Sequence, residues 1–216
     1  MADDRRFALL VEGESEHRAL GTFLRRWLDA ELGADHGIDV EVYKFEGEGD
    51  YRKRLATTVA SELEEVGTIC VIGLVDLYGF AIDYPDDGST VVQRIAHARR
   101  RMTASIDKGK RPFFRQHFAV HELEAWLLAD RAIWPECIRN RIPEEPPEQI
   151  NFDEPPAKLL KRLHVEELGR GYGKVRNAAR RFQQLNPQLV AEKCPHFRAM
   201  VEDMKALALA AFGEEQ

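Results

Sequence analysis

The sequence predicts an α/β fold, with a parallel sheet flanked by helices and a helical C-terminal extension. Three observations predict it. Short apolar runs alternate with helix-period segments through the first 76 residues. The run Thr68 to Val75 is almost continuously apolar, the pattern of a central parallel strand covered on both faces. Beyond Arg131, six prolines (Pro135, Pro143, Pro146, Pro147, Pro155 and Pro156) form an irregular stretch, and only helical patterns follow it.

Taken in order, Phe7 to Val11 is a short strand stopped by Glu12-Gly13. From Ser15, the residues Leu20, Phe23, Leu24, Trp27 and Leu28 recur at helical spacing as far as about Leu32. After the loop Gly33 to Gly37, Ile38, Val40, Val42 and Phe45 make a second strand. Asp50 is the expected N-cap of a helix carrying Leu55, Val59, Leu63 and Val66 on one face. The central strand then ends at Asp76. A polar loop, Tyr78 to Ser89, is broken by Gly79, Pro85 and Gly88. Val91 to Ile106 is helical, Phe113 to Val120 is a fourth strand, and His121 to Asp130 continues as helix. Further helices are expected over Ala157 to Leu163, Lys174 to Leu185 and Pro195 to Phe212. The layout is an α/β core over 1–130, then a proline-rich wrap and helical part over 131–216.

Composition narrows the class. A hydrophobic content of 44% can fill a core without covalent staples. The net charge of −6 argues against a surface coated with nucleic-acid-binding charge, while leaving room for a local basic groove. Cys70, Cys137 and Cys194 are odd in number and contain no CxxC pair, which favours reduced thiols in the cytoplasm over a disulfide framework or a zinc site. The charged start Met1 to Arg6 has no signal-peptide core. No apolar run approaches the roughly 20 residues of a spanning helix. A soluble cytoplasmic protein is expected.

In open α/β sheets, ligands bind beyond the carboxyl ends of the strands, near the point where strand order reverses. Glu12 and Asp76 fall at such ends. Glu16, four residues after Glu12, can share its side. Glu122 and Glu124 follow the fourth strand, one able to ligate and the other to support. Clustered carboxylates repel, and an oxygen-liganded cation such as Mg²⁺ or Mn²⁺ relieves that repulsion. The plainer reading is that Glu14 and Glu16 complement a helix dipole and Asp76 caps a loop.

The segment Leu10-Val11-Glu12-Gly13-Glu14-Ser15-Glu16 resembles the opening motif of Toprim domains of the OLD nuclease type. Val75-Asp76-Leu77-Tyr78 stands where such domains carry Asp-x-Asp. His121-Glu122-Leu123-Glu124-Ala125-Trp126-Leu127-Leu128-Ala129-Asp130 is similar to a segment of small Toprim-like proteins of unknown function, often encoded beside ABC-type ATPases in phage-defence loci. The core resemblance covers residues 7 to about 130 and implies a Toprim-like, Rossmannoid sheet. It implies that Glu12 and Asp76 hold a catalytic metal, with Glu16 on a second metal or its water. Tyr78 replaces the second Asp, and a phenol is a poor Mg²⁺ ligand, which puts the usual two-metal arrangement in question; Asp83, Asp86 or Asp87 could compensate, while the plainer reading of these three is a solvated loop.

Two basic runs complete the picture. Residues 94–115 carry Arg94, Arg99, Arg100, Arg101, Lys108, Lys110, Arg111 and Arg115 against Asp107 alone. Lys158, Lys161, Arg162, Arg170, Lys174, Arg176, Arg180 and Arg181 form the second. Such segregation suits a phosphodiester backbone, an acidic partner subunit or a solvated face. Gly171-Tyr172-Gly173-Lys174 could present Lys174 as a catalytic cation to a scissile phosphate, and His121 could orient a carboxylate. The leading expectation is therefore a Mg²⁺- or Mn²⁺-dependent nuclease acting on DNA or RNA. The alternatives are a catalytically degenerate partner or sensor subunit of an ABC-type ATPase, and a receiver-like phosphoacceptor at Asp76.

Overall fold

The computed structural model describes residues 5–79, 89–150 and 154–213, without the side chains of Asp35 and of 174–178. Among these residues, β1 (Arg6–Val11), β2 (Asp39–Lys44), β3 (Thr68–Asp76) and β4 (Phe114–Ala119) form one all-parallel sheet in the order β2-β1-β3-β4. Alternation along the strands divides their side chains between two faces. Phe7, Leu9, Val11, Cys70, Ile72 and Leu74 join one buried cluster. Ala8, Leu10, Val71 and Val75 join the other.

The chain steps from β1 to β2 in one direction and then crosses back to β3 and β4 in the other. Right-handed crossovers therefore place the connecting helices on opposite faces. α1 (Glu14–Leu32) covers the first face through Leu20, Phe23, Leu24 and Trp27. α2 (Glu48–Glu62) and α3 (Val91–Ala104) cover the second through Tyr51, Leu55, Val59, Ala98 and Met102. The reversal of strand order falls between β1 and β3.

The remaining helices pack on the first face. They are α4 (Glu124–Ala129), α5 (Glu136–Arg139), α6 (Pro156–Leu168), α7 (Lys174–Gln184), α8 (Pro187–Lys193) and α9 (Pro195–Gly213). Aromatic rings tie them to α1 and to one another. Phe23 meets Phe182 edge-on at 5.1 Å, and Trp126 meets Phe197 at 4.7 Å. Arg26 of α1 donates to the carbonyls of Phe182 (2.7 Å), Gln183 (3.1 Å) and Leu185 (2.9 Å), satisfying the end of α7.

Acidic side chains fasten this helical part at other points. Glu122 accepts from the amide of Ala157 at the start of α6, at 2.8 Å. Asp130 accepts from Ala132 (3.0 Å) and from Asn186 (3.2 Å), just ahead of α8. Glu148 accepts from His196 (2.9 Å) and Phe197 (3.3 Å) in the first turn of α9. Each satisfies amides that a helix start leaves unpaired, and a negative charge there is favoured by the helix dipole.

The structure departs from expectation at three places. α2 begins two residues before Asp50, with Gly47 (φ 88°, ψ −179°) as its N-cap, in a region open essentially to glycine alone. Asp50 instead accepts from the amide of Glu46 at 3.2 Å and pairs with Arg54 at 3.0 Å. Because α2 ends at Glu62, Val66 is not on its buried face and is 91% exposed. The helix expected from His121 starts at Glu124, since His121 has a left-handed backbone (φ 66°) that no helix accommodates. No helix among the described residues is long and apolar enough to cross a membrane.

Candidate functional site

Beyond the carboxyl ends of β1, β2 and β3 lies a crevice of about 410 Å³. Glu12 and Gly13 contribute from the turn after β1, Glu14, Ser15 and Glu16 from the start of α1, Lys44, Glu46 and Gly47 from the end of β2, and Asp76 from β3. This is where the order of a doubly wound sheet reverses. Val11 pairs with Leu74, so Glu12 stands level with Val75 and Asp76 lies one residue further along. The amides of Phe45 and Gly47 donate to the carbonyls of Val11 (3.0 Å) and Glu12 (3.2 Å), closing the β2 side.

Charge in the crevice is strongly one-sided. Among the described residues, Glu12, Glu14, Glu16, Glu46 and Asp76 face a single lining cation, Lys44. Its ammonium lies 2.9 Å from Glu14 and 3.4 Å from Glu46. Lys44 together with Arg18, which also bonds Glu14, lowers the Glu14 carboxyl to about 2. Glu16 has no ion-pair partner among the described residues, and one of its oxygens stands 3.1 Å from where a side chain on Gly13 would begin. The starts of α1 and α2 both open here, and their dipoles favour ionised carboxylates.

The buried Tyr51 connects this site to the sheet's second face, where its hydroxyl donates to Gln116 Oε1 at 3.0 Å. The Gln116 amide donates to the His117 carbonyl, also at 3.0 Å. Burial chiefly, and the charge of Glu12, raise the Tyr51 pKa and keep the phenol neutral. Gly73 of β3 leaves the space this pair occupies. A Cβ there would come within 2.5 Å of Gln116 Oε1, and closer still to the Tyr51 hydroxyl.

Of the residues singled out in the sequence, the crevice brings together Glu12, Glu16 and Asp76. Glu122 does not line it and is engaged with α6. Glu124 is buried at the first position of α4 and does not line it either. Its charge acts on Tyr172, two residues before the start of α7. α7 packs on α1 and α4, and its end is held by Arg26. Lys174 opens α7, and its side chain lies outside the described residues, as do Asp83, Asp86 and Asp87. Tyr78 is packed between two neighbours. Its ring stacks on His121 at 5.2 Å and 24°, and the Arg94 guanidinium lies 5.7 Å from its centre.

Five of the eight cations in the first basic run serve the fold. Arg94, Arg99, Lys110, Arg111 and Arg115 donate to backbone carbonyls of Ser89, Gln116, Ala60, Ile106 and Pro112. Sequence reasoning passed over Lys44, Glu46 and Gly47. The available signal was the repeat of Glu-Gly-Glu at 12–14 and 46–48, each directly after an apolar strand-end residue. Among the described residues no three His, Cys, Asp or Glu side chains converge to hold an ion by themselves.

Fold and site together define an α/β protein with a carboxylate crevice at the reversal point of its parallel sheet. The crevice and the fastened helices form one continuous stretch of chain. That stretch is the extent of a family model: the chain belongs to the DUF4276 family, a domain of unknown function, matched over residues 11–205. No curated protein and no solved structure matches the chain.

Proposed function

We propose that the chain is a Toprim-like, divalent-metal-dependent phosphodiester hydrolase with Glu12 and Asp76 as its metal ligands. The observation that carries this reading is the crevice itself, where the described residues set five carboxylates against one lysine at the reversal point of the sheet. Such an excess of anions favours a cation over a free phosphate, despite the helix starts around it. The donor set suits Mg²⁺ or Mn²⁺, which bind through one or two carboxylates and complete their shells with water and substrate phosphate. A set of oxygens alone does not suit zinc in its usual structural sites. Bound there, the ion supplies positive charge against the phosphate under attack.

The chain's own residues carry the remaining tasks. Glu12 and Asp76 enter from adjacent strands of a rigid sheet, so their separation is held by backbone pairing. Glu16, without an ion-pair partner among the described residues, is the carboxylate proposed to take a proton from attacking water. Lys44 and Arg18 neutralise Glu14, limiting the repulsion an incoming phosphate meets. Lys174, at the start of α7, is the proposed cation toward the scissile phosphate, and exposed Arg100, Arg101 and Lys108 offer contacts to a nucleic-acid backbone.

The test pairs Mn²⁺ calorimetry with nicking of supercoiled plasmid and of tRNA. Glu12→Gln and Asp76→Asn are each expected to weaken Mn²⁺ binding by about tenfold or more and to abolish Mg²⁺-dependent cleavage. Equal binding and cleavage in both variants would overturn the assignment. A second reading, a non-enzymatic partner subunit of an ABC-type ATPase, is favoured by the packing of Tyr78 between Arg94 and His121 where a second ligand would stand. Co-purification with such an ATPase, together with absent Mn²⁺ binding, would establish it instead.

A further inference from the structure

Glu148 is a buried carboxylate, 6% exposed, that the crevice chemistry does not use. It sits in the short turn Pro147–Gln149 within the proline-rich segment. Its two oxygens take the amides of His196 and Phe197, so its side chain seats the first turn of α9. Its backbone meanwhile favours the charged form of the His121 ring, as a carbonyl accepting from that ring does. His121 is the one non-glycine residue with positive φ among the described residues, and it is 5% exposed. A β-carbon disfavours that backbone, which persists only where the surroundings over-determine it. What the strained backbone achieves is the stacking of the His121 ring on Tyr78, two residues past Asp76.

We propose that Glu148 is a positioning residue: by seating α9 with its side chain and holding His121 with its backbone, it sets the Tyr78 flank of the carboxylate crevice. The helical part is thereby coupled to the strand ends. The coupling rests on the proposed function only where metal binding is the readout.

The charge state of Glu148 gives a handle on this coupling. Facing it are Trp126 of α4, Cys194 at the end of α8, His196 and Arg198 of α9, and His121 after β4. Burial raises its pKa to about 7, outweighing the α9 amides, Arg198 and Trp126, which act the other way. Burial and the Glu148 charge raise the Cys194 thiol pKa, keeping it protonated, and burial lowers those of His121 and His196. Glu148 is therefore the member that changes charge near neutrality. Because its folded value lies above the ordinary 4.5, the fold favours the protonated acid. That stabilisation is complete below the unfolded value and is lost as pH rises through about 7.

The experiment uses the full chain, wild type and Glu148→Gln, between about pH 5 and pH 9. It follows thermal unfolding, the NMR ring signals of Tyr78 and His121, and Mn²⁺ affinity. In the wild type the unfolding midpoint should fall by about 5 °C or more beyond the fall in Glu148→Gln. The Tyr78 ring signals should move with a midpoint near neutrality in the wild type and stay still in the variant. Mn²⁺ affinity should follow the same transition only in the wild type. Identical pH profiles of the ring signals in both proteins would overturn the proposal. Absence of Mn²⁺ binding at every pH would instead overturn the metal reading, with the ring signals still deciding the positioning role. Should Glu148→Gln not fold, Arg198→Gln supplies the second variant. Loss of its charge should move the Tyr78 transition to higher pH, and an unmoved transition would count against Glu148.

Discussion

Substituting Gly73 with alanine probes whether the Tyr51–Gln116 pair beneath the crevice matters as the geometry requires. The new Cβ would lie 2.5 Å from Gln116 Oε1, and nearer to the Tyr51 hydroxyl, far inside van der Waals contact. Both side chains are buried, so neither can swing into solvent. The 3.0 Å hydrogen bond between them must break or the strands must part. Overpacking a tight core costs about 1–3 kcal/mol, and a buried polar group left unpaired costs about 1–3 kcal/mol more. Allowing for partial relaxation, Gly73→Ala should destabilise the chain by roughly 2–4 kcal/mol. Urea unfolding measures it, with an unchanged m-value showing that the folded state remains compact. Tyr51→Phe removes the hydroxyl that the Cβ strikes. The double variant should therefore be less destabilised than the sum of the two singles, by roughly 1–2 kcal/mol. A single variant within about 0.5 kcal/mol of wild type, or strict additivity in the double, would refute the reasoning. Tyr51 also lies within reach of the Glu12 charge, so Gly73→Ala should weaken Mn²⁺ binding at the crevice without touching a ligand.

Other perturbations bear on the rest of the site. Glu122→Ala removes the acceptor of the Ala157 amide and should cost about 1 kcal/mol in unfolding free energy, leaving Mn²⁺ affinity unchanged; a loss of affinity would return Glu122 to the metal. Lys44→Ala leaves the crevice more negative and should raise Mn²⁺ affinity roughly two- to fivefold at low salt, with the gain fading as salt is added. Calorimetry at two ionic strengths checks it. The lowered pKa of Glu14 stabilises the fold above the ordinary carboxylate range, and that contribution is lost as pH falls toward about 2. In Lys44→Ala the acid limb of the unfolding profile should accordingly move to higher pH.

The strands were legible because a sheet covered on both faces demands apolar runs, and Phe7–Val11 and Thr68–Val75 meet that demand without help from distant contacts. Once the strands are placed, their ends are placed too, which is why Glu12, Glu16 and Asp76 could be read together. Glu122 could not. Its partner is the amide of Ala157, and no local pattern announces a helix start 35 positions away. Asp50 has the composition of an N-cap, but the left-handed Gly47 turns the chain into α2 earlier and leaves Asp50 to hold Glu46. The left-handed backbone of His121 was equally hidden, since its ring stacks on Tyr78 in the turn after β3. Tyr78 itself drew notice as the place of a missing ligand. Its packing between a guanidinium and an imidazole gives it a positive role that spacing could not reveal.

The aromatic cluster of Phe23, Trp126, Phe182 and Phe197 also has a consequence for how the chain is made. Phe23 leaves the ribosome 174 residues before Phe197, an interval on the order of ten seconds or more at ordinary translation rates. Throughout that time the apolar face of α1 lacks the rings that later cover it. A nascent chain stalled before α7 would carry a finished sheet with a sticky flank. Such an intermediate exposes apolar surface of the kind that favours aggregation, and synthesis speed across the proline-rich segment sets how long it stays exposed.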